Sequence, residues 1–204
     1  MIEQLWALII FAFTAAFTPG PNNIMLLASG LNYGIRASLP FLAGVVFGVA
    51  LVFLSLGLGI GFLFDRLPWL HQWIKVVGVI YLFYLAWLIA TAKTEISETD
   101  SKPLSFVQAS LFQFVNPKNL VSMSSAIAAF TSTEGNIYVQ VLLITLVFVM
   151  VALPSASTWL AFGHVLKRII NKPHRLKIFN VCMALLLVAS VLPIAYQVVI
   201  DFLA

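Results

Sequence analysis

Only 18 of the 204 residues carry a charge, 11 basic and 7 acidic, and there is a single cysteine. A soluble domain keeps about a quarter of its residues charged, so this chain cannot cover a water-exposed surface. The shortage of charge excludes a disordered segment, a secreted disulfide scaffold and a nucleic-acid-binding module. Cys182 alone cannot form an internal disulfide and carries no redox information. What the chain has in excess is apolar sequence: 62% of residues are hydrophobic. That composition predicts an all-α integral membrane protein, with membrane lipids as its surroundings.

The few charges divide the chain into apolar runs: 4–35, 37–64, 76–92, 103–133 (interrupted by Lys118), 135–166 and 178–200. A spanning helix needs roughly 20 apolar residues, whereas barrel strands would show alternating segments of about 10. Six transmembrane helices are therefore expected, near 3–32, 37–64, 68–92, 104–131, 137–164 and 177–202. Lys and Arg concentrate on one side of this arrangement. Arg36, Lys93, Lys102, Lys167, Arg168, Lys172, Arg175 and Lys177 face Arg66 and Lys75, eight against two. The positive-inside rule then places both termini in the periplasm and the polar loop 93–103 in the cytoplasm, where a solvated connector suffices. The start, Met1-Ile2-Glu3-Gln4, lacks the basic stretch of a signal peptide, so the first span is expected to stay.

An internal echo links residues 17–26 (FTPGPNNIML) to 114–123 (FVNPKNLVSM), an offset of 96. The same offset lays the second span on the fifth and the third on the sixth. A single transporter domain, 1–204, is expected, with repeat 1 about 1–92 and repeat 2 about 104–204. Three spans per repeat force the second copy to enter from the opposite side, giving two inverted three-helix repeats.

Both repeats open on a helix interrupted by proline. The first run would measure about 48 Å if wholly helical, against a hydrocarbon core of about 30 Å. Thr18-Pro19-Gly20-Pro21-Asn22-Asn23 supplies a break, because proline removes a backbone donor and suits the first turn of a renewed helix. The carbonyls of Ala15 and Phe17 are expected to lose their partners, and the N–H groups of Asn22, Asn23 and Ile24 to form a positive helix terminus. In the fourth span Asn116 reads as an N-cap and Pro117 as the first helical residue, which would orphan the Gln113 carbonyl. Lys118 follows at once. A charge at that depth costs at least about 2.5–3.5 kcal/mol and should face the protein interior or a wet cavity. Ser122 and Ser125 share its helix face, as Met25 and Ser29 share that of Asn22. Pro154 and Pro193 are read as kinks.

Two helix N-termini and one ammonium suit a carboxylate, and freed carbonyls suit an ammonium, so a small zwitterion fits. The expected substrate-binding set is Thr18, Pro19, Gly20, Pro21, Asn22, Asn23, Gln113, Asn116, Pro117, Lys118, Asn119 and Ser122. Acidic residues sit only near span ends, which argues against a metal site, a cofactor-bearing centre or a strongly cationic substrate. A membrane-embedded enzyme is disfavoured, since His71, His164 and His174 are scattered without ligand spacing. Export of another small solute or ion remains the alternative. Gly44-x-x-x-Gly48, with Gly57, Gly59 and Gly61, reads as internal helix packing, with a homodimer interface as the second possibility.

Residues 18–34 (TPGPNNIMLLASGLNYG), 43–48 (AGVVFG) and 105–119 (SFVQASLFQFVNPKN) resemble the LysE-type amino-acid exporter family, in particular its RhtB branch. The resemblance spans the whole chain. It implies a bacterial inner-membrane secondary transporter that exports amino acids, driven by the proton-motive force. The lysine and arginine exporters of that family carry an acidic residue in helix 2, and this chain has no acidic residue there. Neutral substrates are therefore implied, such as cysteine, O-acetylserine, threonine or homoserine. Residues 105–116 look most like exporters of cysteine and O-acetylserine.

Overall fold

A computed structural model describes residues 2–60, 68–92, 102–132, 136–170 and 172–203. The expected cytoplasmic loop, the Asp65–Arg66 connection and Glu134 lie wholly or largely outside these. Every regular element among the described residues is helical. Helix α1 is Ile2–Phe17, α2 Pro21–Tyr33, α3 Ile35–Ser55 and α4 Pro68–Ala90. They are followed by α5 Phe106–Phe112, α6 Pro117–Phe130, α7 Ile137–Ile169 and α8 Pro173–Leu203.

Three stretches are long and apolar enough to cross a bilayer: Ile35–Gly59, Ile137–Lys167 and Pro173–Ile200. The pair Gln4–Phe17 and Pro21–Tyr33, bent by 52°, makes a fourth. Val76–Ala90 is a shorter apolar helix, and the expected fourth span is divided into α5 and α6. Local sequence explains the boundaries. Pro21 and Pro117 each occupy the first turn of a helix, where their missing donor does no harm. Ser105 and Gln108 form a reciprocal capping box at α5, and Asn136 caps α7 through Tyr138 and Val139. Gly34, at φ +83°, turns the chain from α2 into α3. Pro154 and Pro193, expected as kinks, lie inside the continuous helices α7 and α8.

Glycine sets how closely the helices approach. Gly30 of α2 faces the backbone of Leu160, and Gly163 of α7 faces that of Leu27, so any side chain there would push α2 and α7 apart. Gly44 and Gly48 of α3 abut Phe106, Ala109 and Ser110 of α5 and Gln113 at its C-terminal end. The Ser110 hydroxyl donates across this seam to the Gly44 carbonyl at 3.1 Å. The Gly44-x-x-x-Gly48 pair therefore packs internally. Helix α4 lies along α8, and α3 crosses α7. One apolar core joins Met25, Leu26, Phe41, Leu82, Phe112 and Leu187; a second joins Leu8, Val49, Phe53, Met123, Val141 and Phe148. The outer surface is apolar as well, with Trp6, Ile10, Met150, Leu185 and Tyr196 all exposed. A bilayer, not water, is the solvent such a surface fits.

Candidate functional site

The two proline breaks meet inside the bundle. Between them lies a cavity of about 50 Å³, lined by residues of α1, α2, α3, α6 and α7. That volume holds a few water molecules and is far below the roughly 300–1,000 Å³ of drug-sized pockets. Its polar wall is built from Asn22, Asn23, Lys118, Asn119, Ser122 and Ser155, beside Gly20. Its apolar wall is Leu26, Val45, Val49, Phe53, Phe148 and Ala152. No acidic side chain lines it.

The α1–α2 break leaves main-chain carbonyls without helical partners, and side chains take their place. The Asn23 Nδ2 donates to the carbonyls of Ala16 and Thr18, at 2.9 Å each. The Ser155 hydroxyl, from α7, donates to Ala16 at 2.8 Å. The Lys118 ammonium, from α6, donates to the Thr18 carbonyl. It reaches there past Gly20, where a Cβ would lie 2.9 Å from Lys118 Cδ. Glycine at 20, in extended backbone, leaves room for this close approach.

Behind the cavity Gln113 joins the two breaks. It is completely buried, and its Oε1 accepts from the side-chain amides of Asn22 and Asn119, at 2.7 Å each. Its Nε2 donates to Asn22 Oδ1 at 3.2 Å and to the Ala109 carbonyl at 2.8 Å. Asn116, also completely buried, caps α6 by accepting from the Lys118 backbone at 3.2 Å. Its Nδ2 has no partner among the described residues.

Of the expected set, Gly20, Asn22, Asn23, Lys118, Asn119 and Ser122 line the cavity. Thr18 contributes its carbonyl, and Gln113 and Asn116 stand behind the lining. Pro19, Pro21 and Pro117 shape the breaks without lining the cavity.

Several local expectations are corrected. At the first break the side-chain donors gather on the carbonyls of Ala16 and Thr18 rather than on those of Ala15 and Phe17, which Pro19 and Pro21 leave without an i+4 donor. The Ile24 N–H is satisfied by the Gly20 carbonyl at 3.0 Å, and the Gln113 carbonyl accepts from the Asn116 N–H at 3.4 Å. Ser29, expected beside Asn22, pairs with Ser38 at 2.7 Å and borders a second cavity of about 80 Å³. Ser125, expected beside Lys118, is exposed. Ser155 was not anticipated, although Ser155-Ala156-Ser157-Thr158 is the one polar patch that follows Pro154 in an apolar helix.

A polar pair ties the far end of α2. Asn32 and Asn180 exchange side-chain hydrogen bonds, both at 3.1 Å, linking α2 to α8. Lys167 donates to the Asn32 carbonyl at 3.4 Å.

Residues 13–197 match the family model of the LysE type translocator. The chain belongs to that family. The cysteine/O-acetylserine efflux protein of Escherichia coli strain K12 is 32% identical over 197 residues, 96% of this chain and 98% of its own length. Its counterpart in Shigella sonnei strain Ss046 shows the same identity and coverage. No solved structure matches the chain. As a LysE-type translocator the chain is a membrane transport protein and not an enzyme. The proline-rich breaks and the Lys118 cavity all fall within the matched residues.

Proposed function

We propose that this translocator exports small neutral amino acids, or derivatives such as O-acetylserine, across the bacterial inner membrane. The observation that carries the reading is the Lys118 ammonium held on the Thr18 carbonyl inside a small cavity free of carboxylates. An ammonium and a freed carbonyl, side by side, are the two complements of a zwitterion. In the empty protein they satisfy each other. On binding, the substrate carboxylate takes Lys118 and the substrate ammonium takes the carbonyls that Lys118 releases. Asn22, Asn23, Asn119 and Ser122 supply the remaining polar contacts. The substrates named for the relatives, cysteine and O-acetylserine, are uncharged in the side chain, in keeping with a cavity that no acidic side chain lines.

The six spans belong to this reading, arranged as two inverted repeats with both termini in the periplasm. The helix pairings support them. α1 packs on α7 while α5 packs on α3, the pairing expected when corresponding elements exchange across a two-fold axis. α3 with α7 and α4 with α8 then join each element to its own counterpart. Export is driven by the proton-motive force.

The deciding experiment measures intracellular and extracellular amino-acid pools with and without the protein. Selective loss of small neutral amino acids from the cell is expected, abolished by a protonophore. A flat result across the neutral amino acids overturns the exporter reading.

A further inference from the structure

The apolar half of the cavity has a composition that substrate charge does not explain. Phe53 of α3 and Phe148 of α7 both line it, with ring centroids 4.4 Å apart at 44°. Both are buried. Phe53 lies one turn beyond Val49 towards the end of α3, and Phe148 one turn before Ala152 towards the start of α7. Phe11 of α1 meets Phe148 edge-on at 6.1 Å and meets Phe130 of α6 at 5.9 Å. The four rings thus form a continuous stack between the cavity and the end of the bundle where α1 begins. Met123, Ala126 and Ile144 pack into the same core, so the buried Phe53 and Phe148 have little room to yield.

We infer that the Phe53–Phe148 pair is the specificity-determining wall of the transporter, setting the largest side chain that it exports. This rests on the exporter reading. With the charged ends of a zwitterion held at Lys118 and the Thr18 carbonyl, its side chain is directed at the opposite, apolar wall. Two buried aromatic rings packed into that core resist displacement, and a bulkier side chain meets carbon. Discrimination of about 10- to 200-fold per methylene is what a packed apolar pocket delivers. Slender, uncharged side chains without a branch like that of leucine are the class that fits.

The test uses purified protein in proteoliposomes, following uptake of labelled alanine, serine, cysteine, methionine and leucine. Wild type is expected to favour alanine, serine, cysteine and methionine over leucine. Phe148→Ala and Phe148→Leu are expected to raise the leucine-to-alanine rate ratio at least tenfold, and Phe148→Trp to lower transport of cysteine relative to alanine. Phe53→Leu repeats the test from α3 should Phe148→Ala fail to fold. Ratios unchanged from wild type, in variants that still move alanine, overturn the inference and leave the exporter reading standing. A wild-type protein that moves none of the five overturns both.

Discussion

The ammonium of Lys118 donates to the main-chain carbonyl of Thr18, 100 residues earlier in the chain. One bond therefore joins the two interrupted helices at the depth where an unpaired charge would be hardest to keep. It also places an ammonium against backbone oxygen, the contact that a substrate amino group would make. In the proposed reading, Lys118 is an internal stand-in for half of the substrate.

Removing that stand-in has a clear outcome. Lys118→Ala should lower efflux of small neutral amino acids at least tenfold while the protein still inserts, as judged by expression in membranes and elution as a single species in detergent. Lys118→Arg should recover only part of the activity, since a planar guanidinium is too broad to pass beside Gly20. Efflux at the wild-type rate in Lys118→Ala would remove Lys118 from the site.

Gln113 lies behind the cavity, so its loss should be felt through its neighbours. Gln113→Leu leaves the Asn22 and Asn119 side-chain amides without their shared acceptor. A buried polar group left unpaired costs about 1–3 kcal/mol. A lower Tm and an efflux rate reduced at least fivefold are expected together. An efflux rate unaltered at lower Tm would make Gln113 a purely structural residue.

Gly30 and Gly163 can be tested by adding one methyl group. Gly30→Ala drives a carbon into the Leu160 carbonyl, a main-chain atom that cannot rotate away. Overpacking of this kind costs about 1–3 kcal/mol, and Tm should fall by several degrees. Gly59→Ala is the control for space, since nothing lies within 4 Å of a Cβ there, although its φ of +128° adds backbone strain.

The Asn32–Asn180 pair lends itself to a double-mutant cycle. Replacing either residue by Ala strands the other amide, and the double replacement should be less harmful than the sum of the two. Interhelical hydrogen bonds in membranes average about 0.6 kcal/mol, so a coupling of about 1 kcal/mol is expected for two bonds. Additive changes in unfolding free energy would show that the pair does not hold α2 to α8.

Sequence alone located the helices and both breaks because the signals are local. Charge-free runs bound the spans, and the missing N–H of Pro21 and Pro117 acts within one turn. The partners at the break could not be read in the same way. That Ala16 and Thr18 are the carbonyls bound, and that Ser155 reaches one of them, follows from how α1, α2 and α7 cross. Crossing is set by Gly30 and Gly163, which in sequence look like two unremarked glycines. Phe53 and Phe148 were invisible for another reason: hydropathy does not distinguish a phenylalanine facing a cavity from one in a core. Lys118 was legible because it is the one charge within an apolar run.

The glycine clasps bear on how the chain can be divided. α2 is clasped by α7, and α3 by α5, so each tight seam takes one helix from residues 1–92 and one from residues 102–204. Neither segment holds both sides of a seam. Expressed singly, each fragment should be cleared by membrane proteases, while co-expression should restore a stable, transport-competent pair. Stable co-expressed halves would make the protein an interlocked pair of half-chains written on one polypeptide.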